Sequence, residues 1–227
     1  MRRTLAFVSL ALLAATMCLT DARPAAALSY EQEVVDKARI TASKLLADPN
    51  YGSLSSKLKD AKAIVVIPSL IKGAFFIGAQ GGTGVMLAKS AQGSWSYPAF
   101  YTVGGGSFGL QIGAKSAEVI LLIMSEGALQ AVLKNQVKLG ADASFAMGEI
   151  GAGVEGSTTT NVNADIIAFS SSEGLYAGVS LEGAVINGRN DLNEAYYGKG
   201  VTAQGIVVDQ KFSNAAADPL RQVLMAH

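Results

Sequence analysis

The chain has one cysteine, one histidine and one tryptophan in 227 residues. Cys18 has no second thiol to pair with, so an internal disulfide and dithiol chemistry are excluded. His227 is the last residue, and a terminal side chain lacks the fixed geometry that a catalytic base needs. Charged residues are scarce at 16%, and 18 basic side chains balance 18 acidic ones. That balance gives no bulk attraction to nucleic acid. No His/Cys cluster of metal-ligand spacing occurs. Asp142 and Glu149 are near in sequence, but a lone carboxylate pair is not a coordination set. The phosphate-loop pattern is missing too. Gly198-Lys199-Gly200 lacks the upstream glycine and the following hydroxyl. Beyond residue 27 no run reaches the ~20 apolar residues that span a bilayer.

The first residues read as a secretory signal peptide. Arg2-Arg3 make a basic start, Thr4 to Leu19 is apolar, and Ala25-x-Ala27 supplies small residues for cleavage. Cleavage is expected after Ala27, leaving Leu28 to His227 as one domain. Cys18 would leave with the signal. Met17 stands before it where lipid-attachment signals prefer a small residue.

The remainder reads as alternating short elements. Ser29 and Gln32 form a capping-box pattern, and Val34, Val35, Ala38, Ala42, Leu45 and Leu46 share one face at helical spacing. A helix is therefore expected over Tyr30 to Ala47, ended by Asp48-Pro49, with a further turn or two over Leu54 to Lys59. Strands are expected at Ala63 to Ile67, stopping at Pro68, then at Phe75–Ala79, Val85–Ala88, Tyr97–Val103 and Phe108–Ile112. Val119 to Met124 is continuously apolar, as for a strand buried on both faces. Ser125 caps a helix carrying Leu129, Val132 and Leu133. Asp165–Ser170 and Leu175–Leu181 look like a hairpin turned at Gly174. Asp218-Pro219 starts a short C-terminal helix. Glycine recurs within the apolar runs from Lys72 to Met124, which suggests sharp bends or close backbone approach. The fold class is α+β. It is a single β-rich domain with a curved, mostly antiparallel, glycine-rich sheet, an N-terminal amphipathic helix, one mid-chain helix and a short C-terminal helix.

Two patterns mimic active sites. Gly104-x-Gly106-x-x-Gly109 and Gly151-x-Gly153-x-x-Gly156 match the dinucleotide fingerprint. The segments that follow, Leu110-Gln111-Ile112 and Ser157 to Thr160, are poor helix material, so the needed helix N-terminus is lacking. Gly105-x-Ser107-x-Gly109 matches a nucleophile elbow, but that motif also needs a following helix and a histidine.

Several long stretches resemble the SYLF domain family, the Ysc84-like actin-binding or lipid-binding domain. They are Gly93 to Tyr101, Gly104 to Met124, Leu139 to Ser144, Gly174 to Gly183 and Ala195 to Lys199. The likeness covers about Ala38 to Lys199. It implies a non-enzymatic domain without a cofactor. It also implies phosphoinositide-membrane binding through an amphipathic N-terminal helix with basic residues, and actin binding in some members. The chain departs from the family pattern at Glu149, where proline often follows the glycine, and at Glu173, where a basic residue is often found.

The charges suggest where lipid contact would fall. From Leu28 to Lys72 the basic residues are Lys37, Arg39, Lys44, Lys57, Lys59, Lys62 and Lys72, against five acidic ones. These seven form the candidate lipid-binding set. The expected role is a secreted or periplasmic domain, peripherally membrane-associated, that binds an anionic lipid or membrane surface. The alternative is a structural envelope protein that binds another protein, and a serine hydrolase is a third reading. Nucleic acid is not an expected partner, and secretion would separate the chain from actin.

Overall fold

In the computed structural model the described residues are 28–74, 77–108, 113–134, 136–150, 163–172 and 181–227. The proposed signal peptide, residues 1–27, lies outside them.

Helix α1 spans Tyr30–Ala47, and Ser29 caps it by accepting a hydrogen bond from the Gln32 amide at 3.2 Å. The capping box is only half made. The Gln32 side chain instead donates to Asp36 Oδ1 and the Ala216 carbonyl, and accepts from the Tyr196 hydroxyl. Local capping is traded there for contact with the C-terminal segment. Asp48 then caps the 3-10 turn Pro49–Tyr51, which leads into α2, Gly52–Asp60.

Four long strands follow: β1 Ala63–Ala74, β2 Ile77–Ala88, β3 Ala99–Phe108 and β4 Gly113–Ile123. Helix α3, Glu126–Leu133, is capped by Ser125 as expected. After it come β5 Val137–Lys138, β6 Phe145–Ile150, β7 Ile166–Ser172 and β8 Val185–Gly188. The C-terminal segment holds α4 Asn190–Tyr197, α5 Ala203–Val207 and α6 Asp218–Met225. The strands make one curled eight-stranded sheet in the order β5-β8-β3-β2-β1-β4-β7-β6. All pairs are antiparallel except β6 with β7.

Strand alternation divides the core into two layers. Ile64, Val66, Val85, Leu87, Phe100, Ile120 and Leu122 face α1, α2, α4 and α6. Val65, Ile67, Met86, Tyr101, Val119 and Leu121 face α3 and α5. Helices on both faces explain the continuously apolar central strands, because a strand covered twice needs no polar side. No helix among the described residues is long and apolar enough to cross a membrane.

Pro68 does not end β1. The strand continues to Ala74, and its pairing shifts between Val66 and Ile71 on one side and between Ile67 and Leu70 on the other. A bulge takes the proline out of the ladder. The bulge also explains two glycines. A Cβ on Gly84 would lie 2.2 Å from the Val66 carbonyl oxygen, and one on Gly82 would lie 2.5 Å from that of Ser69. Over the described residues the expected strands Phe75–Ala79 and Val85–Ala88 fall in the single strand Ile77–Ala88, whose glycines admit the neighbouring bulge rather than make turns. Likewise β3 starts at Ala99 and runs through Gly104 to Gly106 to Phe108. Asp218 opens α6 but does not cap it. Ala217 stands at the cap without a side-chain bond, and Asp218 binds Tyr97 and Arg221 instead. Gly109 to Ile112, Glu173, Gly174 and Leu175 to Ser180 lie outside the described residues.

Candidate functional site

The motif residues do not come together. Ser107 is a strand residue of β3 opposite Gly78 of β2, so it does not stand at a strand-to-helix turn. Gly104 and Gly106 pair with Gly81 and Ala79 in the same ladder. His227 follows α6 and is exposed. Gly151 to Gly156 lie outside the described residues. Asp142 Oδ2 accepts a hydrogen bond from the Lys138 amide and thereby closes a turn. Gly198 and Gly200, at φ +105° and +80°, end α4. Among the described residues no group of three His, Cys, Asp or Glu is placed to hold a metal ion.

The seven basic residues fall into three groups. Lys37, Arg39 and Lys44 lie on α1. Lys37 pairs with Glu33 at 2.6 Å, one turn away. Lys44 reaches across to Glu118 of β4 at 2.7 Å, and Thr41 donates to the other oxygen of that carboxylate. Two of the three α1 charges are thus already matched by carboxylates. Lys57 and Lys59 stand in the last turn of α2, and Lys62 lies just beyond Ala61. Lys57 is half-buried, while Lys59 and Lys62 are exposed. Cations at a helix C-terminus are favoured by the helix dipole. Lys72 is far from the α2 group. It sits ten residues beyond Lys62 along β1, on the order of 30 Å at ~3.3 Å per strand residue.

Sequence reasoning missed Lys89. Its Nζ donates to the Leu58 and Lys59 carbonyls at 2.9 and 2.8 Å, tying the end of α2 to the sheet. It also lies 4.8 Å from the centre of the Trp95 ring. Lys89 is half-buried, and burial lowers its pKa. The pairing of Lys89 with Trp95 across a turn is visible only in the register.

The apolar stripe of α1 is buried. Val34, Val35, Ala38, Ala42, Leu45 and Leu46 are each at most 6% exposed and pack with β1, β2 and β4. What α1 turns outward includes Lys37, Ile40 and Lys44, with Ile40 53% exposed.

The C-terminal segment locks the resembling motifs in place. Trp95 is buried, and its Nε1 donates to the Leu224 carbonyl at 3.2 Å. Arg221 donates to the Trp95 carbonyl and to Asp218, and stacks 4.2 Å from the Tyr97 ring centre. Tyr97 also donates to Asp218 at 2.9 Å. Tyr196 packs edge-on against Phe100, and burial pushes its pKa up to about 12. The Tyr196 hydroxyl holds Gln32 of α1, and Tyr197 donates to the Pro98 carbonyl. The tryptophan and tyrosine motifs therefore bind the C-terminus and α1 to the sheet.

A curled α+β sheet clad by helices on both faces, with separated surface lysines, is the architecture of this domain. The family described as Las17-binding protein actin regulator (Ysc84) matches residues 104–227. The chain belongs to the Ysc84, or SYLF, family. An SH3 domain-containing protein of Schizosaccharomyces pombe is 34% identical over 74% of this chain and 40% of its own length. The human SH3 domain-containing YSC84-like protein 1 is 30% identical over 72% of this chain and 48% of its own. Protein YSC84 of Saccharomyces cerevisiae is 31% identical over 74% and 36% respectively. The chain thus spans less than half the length of these curated relatives.

Proposed function

We propose that this chain is a non-enzymatic SYLF domain that attaches to anionic lipid surfaces from the outer side of the cytoplasmic membrane. The observation that carries this reading is the lysine group at the end of α2. Lys57, Lys59 and Lys62 lie together in sequence and on one helix end, with no carboxylate in salt-bridge range among the described residues. Each is worth about 1 kcal/mol near an anionic surface. Three give roughly 3 kcal/mol, a weak and salt-sensitive attachment. The buried stripe favours contact by charge with α1 held on the sheet, not insertion of that stripe. The N-terminal tract supports secretion, and native protein beginning at a residue other than Leu28 would count against that part.

Co-sedimentation with vesicles tests the attachment. Wild type is expected to bind anionic but not neutral vesicles, and less as salt rises. The triple change Lys57→Gln, Lys59→Gln, Lys62→Gln is expected to remove binding while leaving the thermal midpoint unchanged. Wild type that binds no vesicle of any composition would refute the membrane reading. A second reading, a protein-binding domain of the envelope, is favoured by the family description and by a relative called LAS seventeen-binding protein 3. On the secreted reading its partner is an envelope protein rather than actin.

A further inference from the structure

The lysines at the end of α2 are held by a fourth lysine that is not on the helix. A helix leaves its last carbonyls without partners of its own. In α2 the Lys57 carbonyl accepts from the Ala61 amide at 3.0 Å. The next two carbonyls, of Leu58 and Lys59, accept from Lys89 Nζ at 2.9 and 2.8 Å. Lys89 follows the last residue of β2, and its own amide donates to the Lys62 carbonyl at 2.8 Å. Lys59 and Lys62 are therefore bonded to one residue, the first to its side chain and the second to its backbone. Lys89 is itself fixed. Its Nζ lies 4.8 Å from the centre of the Trp95 ring. That ring is buried and anchored, because Trp95 Nε1 donates to the Leu224 carbonyl and the Trp95 carbonyl accepts from Arg221.

Lys89 differs from the three lysines beside it. Its ammonium is spent on two carbonyls and a ring. A basic side chain that meets an anionic surface gives up conformational freedom. A fraying helix end would add the cost of re-forming its last turn. Holding the Leu58 and Lys59 carbonyls removes that second cost before the surface arrives, as preorganisation does in general. A cation at a helix C-terminus is also favoured by the helix dipole. We propose that Lys89 is the positioning residue of the lysine site, fixing the last turn of α2 so that Lys59 and Lys62 meet an anionic lipid surface together. The inference rests on the membrane reading and adds to it a residue that acts through its neighbours. Magnitude separates this role from that of a bare charge. A single basic residue near an anionic surface is worth about fivefold in binding. A residue that also carries the contribution of Lys59 is worth that factor twice, or about 25-fold.

The experiment uses the full chain as wild type, Lys59→Gln, Lys89→Met, the double variant and the charge-keeping Lys89→Arg. Methionine keeps an unbranched apolar stem and removes the donors. The probe is vesicles of phosphatidylglycerol in phosphatidylcholine, followed by co-sedimentation at a temperature where every variant is folded. Lys59→Gln is expected to bind about fivefold more weakly than wild type, and Lys89→Met about 25-fold more weakly. The double variant is expected to bind like Lys89→Met alone, because the two residues act as a unit. Lys89→Arg keeps the charge and the donors, and is expected to keep binding. A merely structural Lys89 would lower the thermal midpoint and leave binding by the folded variants untouched, which overturns the role. A Lys89→Met effect no larger than that of Lys59→Gln, with the double variant weaker by the product, shows an independent charge and also overturns it. So does Lys89→Arg that binds as weakly as Lys89→Met. In those outcomes wild type still binds, and the membrane reading stands. Wild type that binds no anionic vesicle refutes that reading and the role of Lys89 with it. Should Lys89→Met fail to fold, Lys89→Gln carries the same comparisons.

Discussion

Replacing Leu45 with alanine separates a core helix from a membrane-inserting one. Leu45 is fully buried, at 0% exposure, within the layer between α1 and the sheet. The change removes three carbon groups, worth roughly 0.8 kcal/mol each, or about 2.4 kcal/mol in transfer alone. The layer that holds Leu45 also contains Ile64, Val66, Val85 and Leu87 of central strands, which are held by ladders and cannot collapse far. The cavity adds to the transfer cost, and buried leucine truncations run from about 2.7 to 5.0 kcal/mol. A loss of about 3–4 kcal/mol is expected. In a domain of this size 1 kcal/mol shifts the thermal midpoint by about 2–4 °C. The midpoint should therefore fall by roughly 6–16 °C. Ile40→Ala is the paired control. Ile40 is 53% exposed on the same helix, and its loss should stay within about 0.5 kcal/mol.

The assay joins urea unfolding with vesicle co-sedimentation at a temperature where both variants are folded. Leu45→Ala should be destabilised and bind vesicles like wild type. If it instead unfolds within about 0.5 kcal/mol of wild type and loses vesicle binding, the stripe faces lipid. The packing of α1 on the sheet would then not describe the functional state.

Gly84→Ala should cost about 3 kcal/mol or more, or prevent folding, because its Cβ would meet the Val66 carbonyl oxygen at 2.2 Å. Gly106→Ala has nothing within 4 Å, so denaturant unfolding should place it within about 1 kcal/mol of wild type. Equal costs at the two sites would refute the bulge argument. Asp165 accepts hydrogen bonds from the Ser125 hydroxyl and from the hydroxyl and amide of Ser144, which lower its pKa. A lowered folded pKa stabilises the fold above the unfolded carboxylate value of about 3.9, and that part is lost as pH falls through the lower folded value. The stability gap between wild type and Asp165→Asn should therefore be widest near neutral pH and narrow in acid. A gap that widens in acid would show that the sign is wrong.

The parts of the fold that could be read from sequence are those set by neighbours along the chain. The bounds of α1 follow from Ser29 at one end and Asp48-Pro49 at the other, and its stripe follows from spacing alone. Ser125 capping α3 is equally local. The errors arise where another strand decides the outcome. Pro68 reads as a stop, but a bulge accommodates it, and the glycines opposite read as turns because the bulge is invisible in one strand's sequence. Helices α4 and α5 are short and lack a long apolar period. The parallel pairing of β6 with β7 leaves no local mark either.

The candidate site shows the same division more sharply. An excess of basic residues over acidic ones in one stretch of sequence is not a patch. Glu33 answers Lys37 from within the helix, and Glu118 answers Lys44 from a strand 74 residues away. Lys72 leaves the group altogether because β1 carries it to the far end of the sheet. Its partner Lys115 did not enter the sequence reading at all, since it belongs to the relatively acidic remainder of the chain. Register, not composition, sets those two positions opposite one another.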